Sequence, residues 1–281
     1  MKKTNNGFRI LIACTLLVSV VLLNSCSKDM QDKSGSVSDN AIDNSTGAVQ
    51  PIALWKFDSS WKEAKQQLAG VPHQKAKFSS TAQAKVGIAA FFSKDSGFVS
   101  YSNAGTALPN LTTGLTVDFW VYPQKPSGGA HCIFAIPQTG AFWPTHHVLT
   151  DAWSAPWGDT GLIKVMFKAN KAIDYNERWA EARIPNFFNK WNHVQYSYNG
   201  STSEYTIKVN GHTYLNHALQ YTDGTSTTLL GNLNPNPGSH GVVIGAFQNQ
   251  WDPALFGAPE PWMGKFAGRI DDLKIYNTAL F

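Results

Sequence analysis

Alternation of apolar and polar residues with a period of two dominates the chain. Leu115-Thr-Val-Asp-Phe-Trp-Val-Tyr122 sets Leu115, Val117, Phe119 and Val121 on one face of a strand that ends at Pro123. His193 to Tyr198 alternates again, with Val194, Tyr196 and Tyr198 on one side. Asn199-Gly200 and Asn210-Gly211 flank a strand over Tyr205 to Val209, and Asn-Gly suits the positive backbone angles of a tight hairpin turn. Val242 to Ala246 and Ile270 to Tyr276 complete the strand pattern. Helix-forming composition is confined to Trp61–Leu68 and Asn176–Arg183. Many short strands with turn residues between them predict an all-β, antiparallel β-sandwich or jelly roll. One stretch fits neither period. FWPTHHVLTDAWSAPWGDTG, residues 142–161, holds three tryptophans and two adjacent histidines and reads as a loop.

The N-terminus carries a different pattern. Lys2, Lys3 and Arg9 precede the apolar run Ile10–Leu23, which is short for a membrane span and has the length of a signal-peptide core. Leu23-Asn-Ser-Cys26 resembles the lipobox of bacterial lipoproteins, which implies lipidation of Cys26. Ser27-Lys-Asp29 resembles a surface-export signal of glycan-foraging Gram-negative bacteria. The expected organisation is a signal peptide over 1–25, a lipidated cysteine and flexible tether over 26–50, and one domain over 51–281. Residues 27–50 contain no aromatic residue, so they cannot bury enough surface to fold. The expected location is the outer membrane, with the chain lipid-anchored and facing outward.

Charge and cysteine content narrow the partners. Without Lys2, Lys3 and Arg9 the chain has 20 basic against 19 acidic residues, so nothing argues for nucleic acid, and membrane contact is expected through the lipid alone. Of three cysteines, Cys14 leaves with the signal and Cys26 carries lipid, which leaves Cys132 without a disulfide partner.

Several segments resemble laminin-G-like, concanavalin A-like jelly rolls. These are Gly87-Ile-Ala-Ala-Phe-Phe92, Leu115-Thr-Val-Asp-Phe-Trp-Val121, Lys190-Trp-Asn-His-Val194 with Tyr198-Asn-Gly200, Ile207-Lys-Val-Asn-Gly211, Val243-Ile-Gly-Ala246, and Phe266 through Leu280. They occur in that order over nearly all of residues 53–281. The resemblance implies the fold but no single function, because this fold hosts lectins, adhesion modules, glycosidases and lyases. It also implies a structural calcium near the paired N- and C-terminal strands, with Asp58, Asp271 and Asp272 as candidate ligands. Turn capping by these aspartates is the alternative.

Catalytic patterns are missing from the sequence. Glycosidases need two carboxylates facing one sugar bond. The Glu-x-Asp-x-(x)-Glu strand motif of laminarinase-type relatives is absent, and Glu63, Glu177, Glu181, Glu204 and Glu260 are scattered. Glu177 and Glu181 are four apart, as on a solvated helix face. His146 and His147 lack the spacing of a zinc site. A lyase with residues from distant strands would leave no such spacing.

Nine of the ten tryptophans divide into two sets, the tenth being Trp61 of the helix-like Trp61–Leu68 segment. Trp55, Trp120 and Trp191 lie in the strand patterns and are expected to pack the framework. Trp143, Trp153, Trp157, Trp179, Trp251 and Trp262 lie outside them, in segments rich in Pro, Gly and Asn. Indole stacks on the apolar faces of sugar rings, and amides and imidazoles serve their hydroxyls. These six tryptophans, with His146, His147 and Gln248, are therefore candidate ligand-binding residues, and packing within a loop's own small core is the alternative. The leading expectation is a surface lipoprotein that binds a carbohydrate, with an outer-membrane glycan-uptake component as a candidate partner. A divergent glycoside hydrolase or polysaccharide lyase, or a protein-binding adhesion module, stands as the alternative.

Overall fold

The computed structural model describes residues 49–281 apart from 95–96, 103–107, 109–110, 127, 152–157, 170–176, 219, 223–226 and 234–239. The expected signal peptide, Cys26, most of the tether, Trp153 and Trp157 therefore lie outside the described residues. The strands in chain order are β1 (Ala53–Trp55), β2 (Val71–Gln74), β3 (Lys77–Phe78), β4 (Ala90–Phe92), β5 (Gly97–Ser102), β6 (Gly114–Pro123) and β7 (Ala130–Ile136). There follow β8 (His146–Asp151), β9 (Gly161–Lys168), β10 (Glu177–Ile184), β11 (Asn192–Asn199), β12 (Glu204–Val209) and β13 (His212–Ala218). The chain closes with β14 (Gln220–Thr222), β15 (Thr227–Leu229), β16 (His240–Ile244), two one-turn helices α1 (Gln248–Trp251) and α2 (Pro253–Phe256), β17 (Met263–Lys265) and β18 (Gly268–Tyr276).

Two sheets result. The first runs β13-β12-β11-β6-β18-β4-β3, with β1 also paired to β18; the second runs β10-β9-β8-β7-β16-β5-β2, with β17 added parallel to β7. All other pairings in the two sheets are antiparallel, as a jelly roll requires. The alternating faces behave as their sequence predicts: Leu115, Val117, Phe119 and Val121 of β6 meet Val194, Tyr196 and Tyr198 of β11 in one buried core. Asn210 and Gly211 both take positive φ, 53° and 79°, and turn β12 into β13.

Four expectations are corrected. Trp61–Leu68 is not a helix, because the buried Glu63 carboxylate draws in the backbone. It accepts the N–H of Leu54 at 2.6 Å, of Lys65 at 2.7 Å and of Gln66, and a helix could not offer these groups together. Asn176–Arg183 falls mostly within β10, paired along its length with β9. The 142–161 stretch is not one loop, since its centre is β8. Trp120 and Trp191 do not join the core as Trp55 does. They lie half-buried on the outer face of the first sheet, where Trp120 stacks on His193 with centroids 4.6 Å apart and Trp191 meets Tyr122 edge-on.

Strand β7 shapes the second sheet. All seven of its residues are buried, and a bulge between Cys132 and Phe134 turns Ile133 and Phe134 both toward the inter-sheet core. Ala130, Cys132 and Ala135 face the other way, into a second apolar cluster with Leu149, Val243, Phe247 and Met263. The second sheet is thus covered on both faces. Phe119→Ala, in the inter-sheet core, is expected to lower the unfolding free energy by about 3–5 kcal/mol. The measurement is a fall in the urea midpoint with an unchanged slope.

Candidate functional site

The outer cluster on the second sheet carries the candidate chemistry. Residues of β8, β9 and β10 lie in cross-strand rows, and the register sets His147, Met166 and Trp179 side by side, then Leu149, Lys164 and Glu181, with Asp151 two residues beyond Leu149. Strand periodicity aims His147, Leu149, Asp151, Lys164, Trp179 and Glu181 at the same outer face. Two covering segments bring further indoles. The 137–145 segment carries Trp143, and Trp262 immediately precedes β17, where its carbonyl accepts the Ala130 N–H at 3.0 Å.

Three indoles meet there at angles. The Trp143 centroid lies 5.9 Å from that of Trp179, with the rings at 85°, and 5.9 Å from that of Trp262, at 32°. They form walls rather than a flat platform. Below them is a cavity of about 400 Å³, lined by Ala130, Leu149, Asp151, Lys164 and Glu181 besides the three tryptophans. This volume is within the range of small-molecule sites, which is about 300–1,000 Å³.

The polar side of the cavity is an ion-pair bridge. Lys164 Nζ lies 2.8 Å from Asp151 Oδ2 and 3.0 Å from Glu181 Oε1. The Asp151 side chain is 9% exposed and that of Glu181 is 44% exposed, so one carboxylate lies deep and the other at the rim. Burial alone would lower the Lys164 pKa, but the hydrogen bonds and charges of Asp151 and Glu181 outweigh it and raise it. The sequence offered no signal for this trio, whose members lie on three strands. Glu181 is on a strand, not on the solvated helix face its spacing with Glu177 suggested.

Other predicted ligand residues have different places. His146 points into the inter-sheet core, where its Nε2 and the Tyr196 hydroxyl are 2.7 Å apart. His147 is fully buried beneath the indoles, 4.9 Å from Trp179 and 5.9 Å from Trp143 between ring centroids. Neither of its ring nitrogens has a hydrogen-bond partner among the described residues. Gln248 is also fully buried. Its carbonyl oxygen accepts the Gln138 N–H at 2.9 Å, and its amide donates to Ala141 O at 2.6 Å and Phe142 O at 3.0 Å. Gln248 thus clasps the segment that holds Trp143 rather than facing a ligand. Trp251 is half-buried with its ring 6.3 Å from that of Phe256 and does not line the cavity. Trp143, Trp179 and Trp262 are the predicted tryptophans brought together at the cavity.

A second cluster gathers the acids of the first sheet. β1 pairs with β18, and the loop 85–88 closes over Asp271 and Asp58. Asp271 is fully buried. Its Oδ2 accepts from Lys85 N at 3.1 Å and Val86 N at 2.9 Å, whereas Oδ1 has no partner among the described residues. Burial pushes its carboxyl up to about 7, and the charges of Asp272 and Asp58 add to the rise. Asp272, at φ 49°, is raised as well, chiefly by burial. Asp58 Oδ1 accepts the Ile88 N–H at 3.0 Å. Turn capping thus occupies part of this carboxylate set. Among the described residues no three His, Cys, Asp or Glu side chains form a ready metal cradle. The orphaned, buried Asp271 oxygen is the feature of this cluster that suits a cation.

A family model described as the concanavalin A-like lectin/glucanases superfamily matches residues 94–281. No curated protein matches the sequence. Among solved structures, domain 4 of AbnA, a GH43 extracellular arabinanase from Geobacillus stearothermophilus in complex with arabinotriose, is similar with a TM-score of 0.51 and 16% identity. The match covers 83% of this chain and 95% of that one. Botulinum neurotoxin type C, from a study of cell entry through two ganglioside molecules, has a TM-score of 0.54 and 10% identity over 83% of this chain and 49% of that one. The binding domain of Paraclostridial Mosquitocidal Protein 1 has a TM-score of 0.53 and 10% identity over 83% and 50%. The match spans about half the length of these two toxin chains.

The buried histidines make stability depend on pH. Burial pushes the His146 imidazole down to about 3, and burial with the neighbouring His146 lowers His147 well below its ordinary value. The native state holds both neutral, while the unfolded chain takes up protons below about pH 6.5. Their contribution to stability is therefore complete above about pH 6.5 and is lost as pH falls toward 3. His147→Phe is expected to flatten the fall in thermal midpoint between pH 6.5 and 5. An unchanged slope in scanning calorimetry would remove His147 from this account.

Proposed function

Because the chain belongs to the concanavalin A-like lectin/glucanases superfamily, we propose that it is a carbohydrate-binding protein whose ligand enters the cavity walled by Trp143, Trp179 and Trp262. The observation that carries this reading is the pairing of three converging indoles with a charged trio in one cavity. Indole faces suit the C–H faces of a sugar ring, and carboxylates and an ammonium suit its hydroxyls. The sugar ligands named with the similar solved structures agree with a saccharide. Binding without turnover is preferred over glycosidase chemistry. The two carboxylates of the cavity are both ion-paired to Lys164 rather than left to flank a glycosidic bond.

Trp179→Ala and Trp262→Ala are each expected to weaken glycan binding several-fold or more, since aromatic stacking contributes about 0.5–1.5 kcal/mol beyond buried area. Both tryptophans are only half-buried, so these variants should melt closer to the parent than Trp55→Ala, whose ring is fully buried. The checks are affinity-gel retardation and thermal midpoint on the same variants. Early melting with unchanged retardation would make the indoles scaffold.

The proposal extends to the ends of the molecule. We place the protein on the outer membrane through lipid on Cys26, facing outward, where an outer-membrane glycan-uptake component is a candidate partner. Cys26→Ala is expected to move the protein into the soluble fraction with altered gel mobility. A variant that stays with membranes at unchanged mobility would refute this.

Asp271, with Asp58 and Asp272 beside it, would hold calcium, which would offset their crowded negative charge. An ion bound only by the native state raises the thermal midpoint with its concentration. Chelator is expected to lower the midpoint, millimolar calcium to restore it, and Asp271→Asn to abolish the response. No shift between chelator and calcium would remove the ion.

A further inference from the structure

The charge arrangement in the indole-walled cavity restricts which saccharide can enter. Its lining carries two carboxylates, Asp151 and Glu181, and one ammonium, Lys164. That ammonium is already committed, at 2.8 Å to one carboxylate and 3.0 Å to the other. Two of its three N–H groups serve these partners, and one remains for a ligand. Arg183 shares the outer face of β10 two residues beyond Glu181 but does not line the cavity. An acidic sugar would therefore meet two like charges and no uncommitted cation among the described lining residues. Like charges brought together in a partly desolvated site oppose binding strongly. A neutral ring faces no such opposition. Glu181 has acceptor positions beyond the oxygen that Lys164 grips, so one hydroxyl can donate to Glu181 while its neighbour accepts from Lys164.

We infer that the cavity selects a sugar unit with adjacent free hydroxyls and no negative charge and excludes uronic and sulfated sugars, with the Asp151–Lys164–Glu181 bridge as the specificity determinant. This inference rests on the carbohydrate-binding reading above and deepens it.

The test uses affinity gels cast with neutral polysaccharides (galactan, arabinan, xylan, mannan, laminarin) and acidic ones (polygalacturonate, alginate, chondroitin sulfate). Carboxyl-reduced polygalacturonate serves as the uncharged match of its parent. The wild-type protein is expected to bind at least one neutral polymer about ten-fold or more tightly than any acidic one, with little change on adding salt. The double variant Asp151→Asn, Glu181→Gln frees Lys164. It should weaken neutral binding and gain retardation by an acidic polymer that salt reverses. Lys164→Met leaves the two carboxylates facing each other and should lose neutral binding without gaining acidic binding. Thermal midpoints of all three proteins show whether the variants are folded, and the wild-type comparison stands whatever they do. Wild-type binding to an acidic polymer as tight as to the neutral set would overturn the inference and leave the carbohydrate reading intact. No retention by any polymer would overturn both.

Discussion

The second sheet is buried on both faces, and most features of the molecule depend on that. One face meets the first sheet through Phe134, Val148, Ile163 and Val165. The other must be shielded from water as well, because Ala130, Cys132, Ala135, Leu149 and Val243 line it. The covering is supplied by the 137–145 segment and by the long connection from β16 to β18. Their aromatic side chains seal the surface over β7 and β16. Toward β9 and β10 the cover thins, and the cavity lies there, bounded by the indoles that end the apolar cluster and by the charged row beyond it.

This arrangement explains why polar residues lie under the cover. Gln248 has no water to bond, so its amide takes the backbone groups of Gln138, Ala141 and Phe142 and ties one covering segment to the other. His147 lies in the same layer without a partner among the described residues, and burial holds it neutral. The site thus stands on a layer that is well packed but contains a proton-sensitive group directly under two of its walls.

The two charged clusters answer burial in opposite ways. On the second sheet, Lys164 sits between two acids and compensates them locally. On the first, Asp271 and Asp272 lie close to Asp58; backbone N–H groups donate to Asp271 and Asp58, Lys274 and Lys56 partly offset the charge at Asp272, and the carboxyls of Asp271 and Asp272 are still raised. The first arrangement pairs each acid with one shared ammonium. The second leaves one buried oxygen, Asp271 Oδ1, without a partner among the described residues.

The all-β class, the β6, β11, β12 and β18 strands and the Asn210-Gly211 turn were legible in the sequence, because a sheet buried on one face writes a period of two into its strands. β8 was not, because it is buried on both faces and its His-His-Val-Leu-Thr-Asp run shows no alternation. Nor was Trp61–Leu68 legible as a turn, since its composition suits a helix and the Glu63 carboxylate, which takes the distant Leu54 N–H together with those of Lys65 and Gln66, makes the other conformation better. Of the candidate site, the sequence by itself determined that surplus tryptophans had to be placed somewhere and that no catalytic motif accompanied them. Only the tertiary structure decided that Trp143, Trp179 and Trp262 meet while Trp251 does not, and that His146 belongs to the core. It also decided that Asp151, Lys164 and Glu181 form one unit. Cross-strand register joins these three across some 30 residues of chain, and register is set by pairing and packing, which no local spacing records.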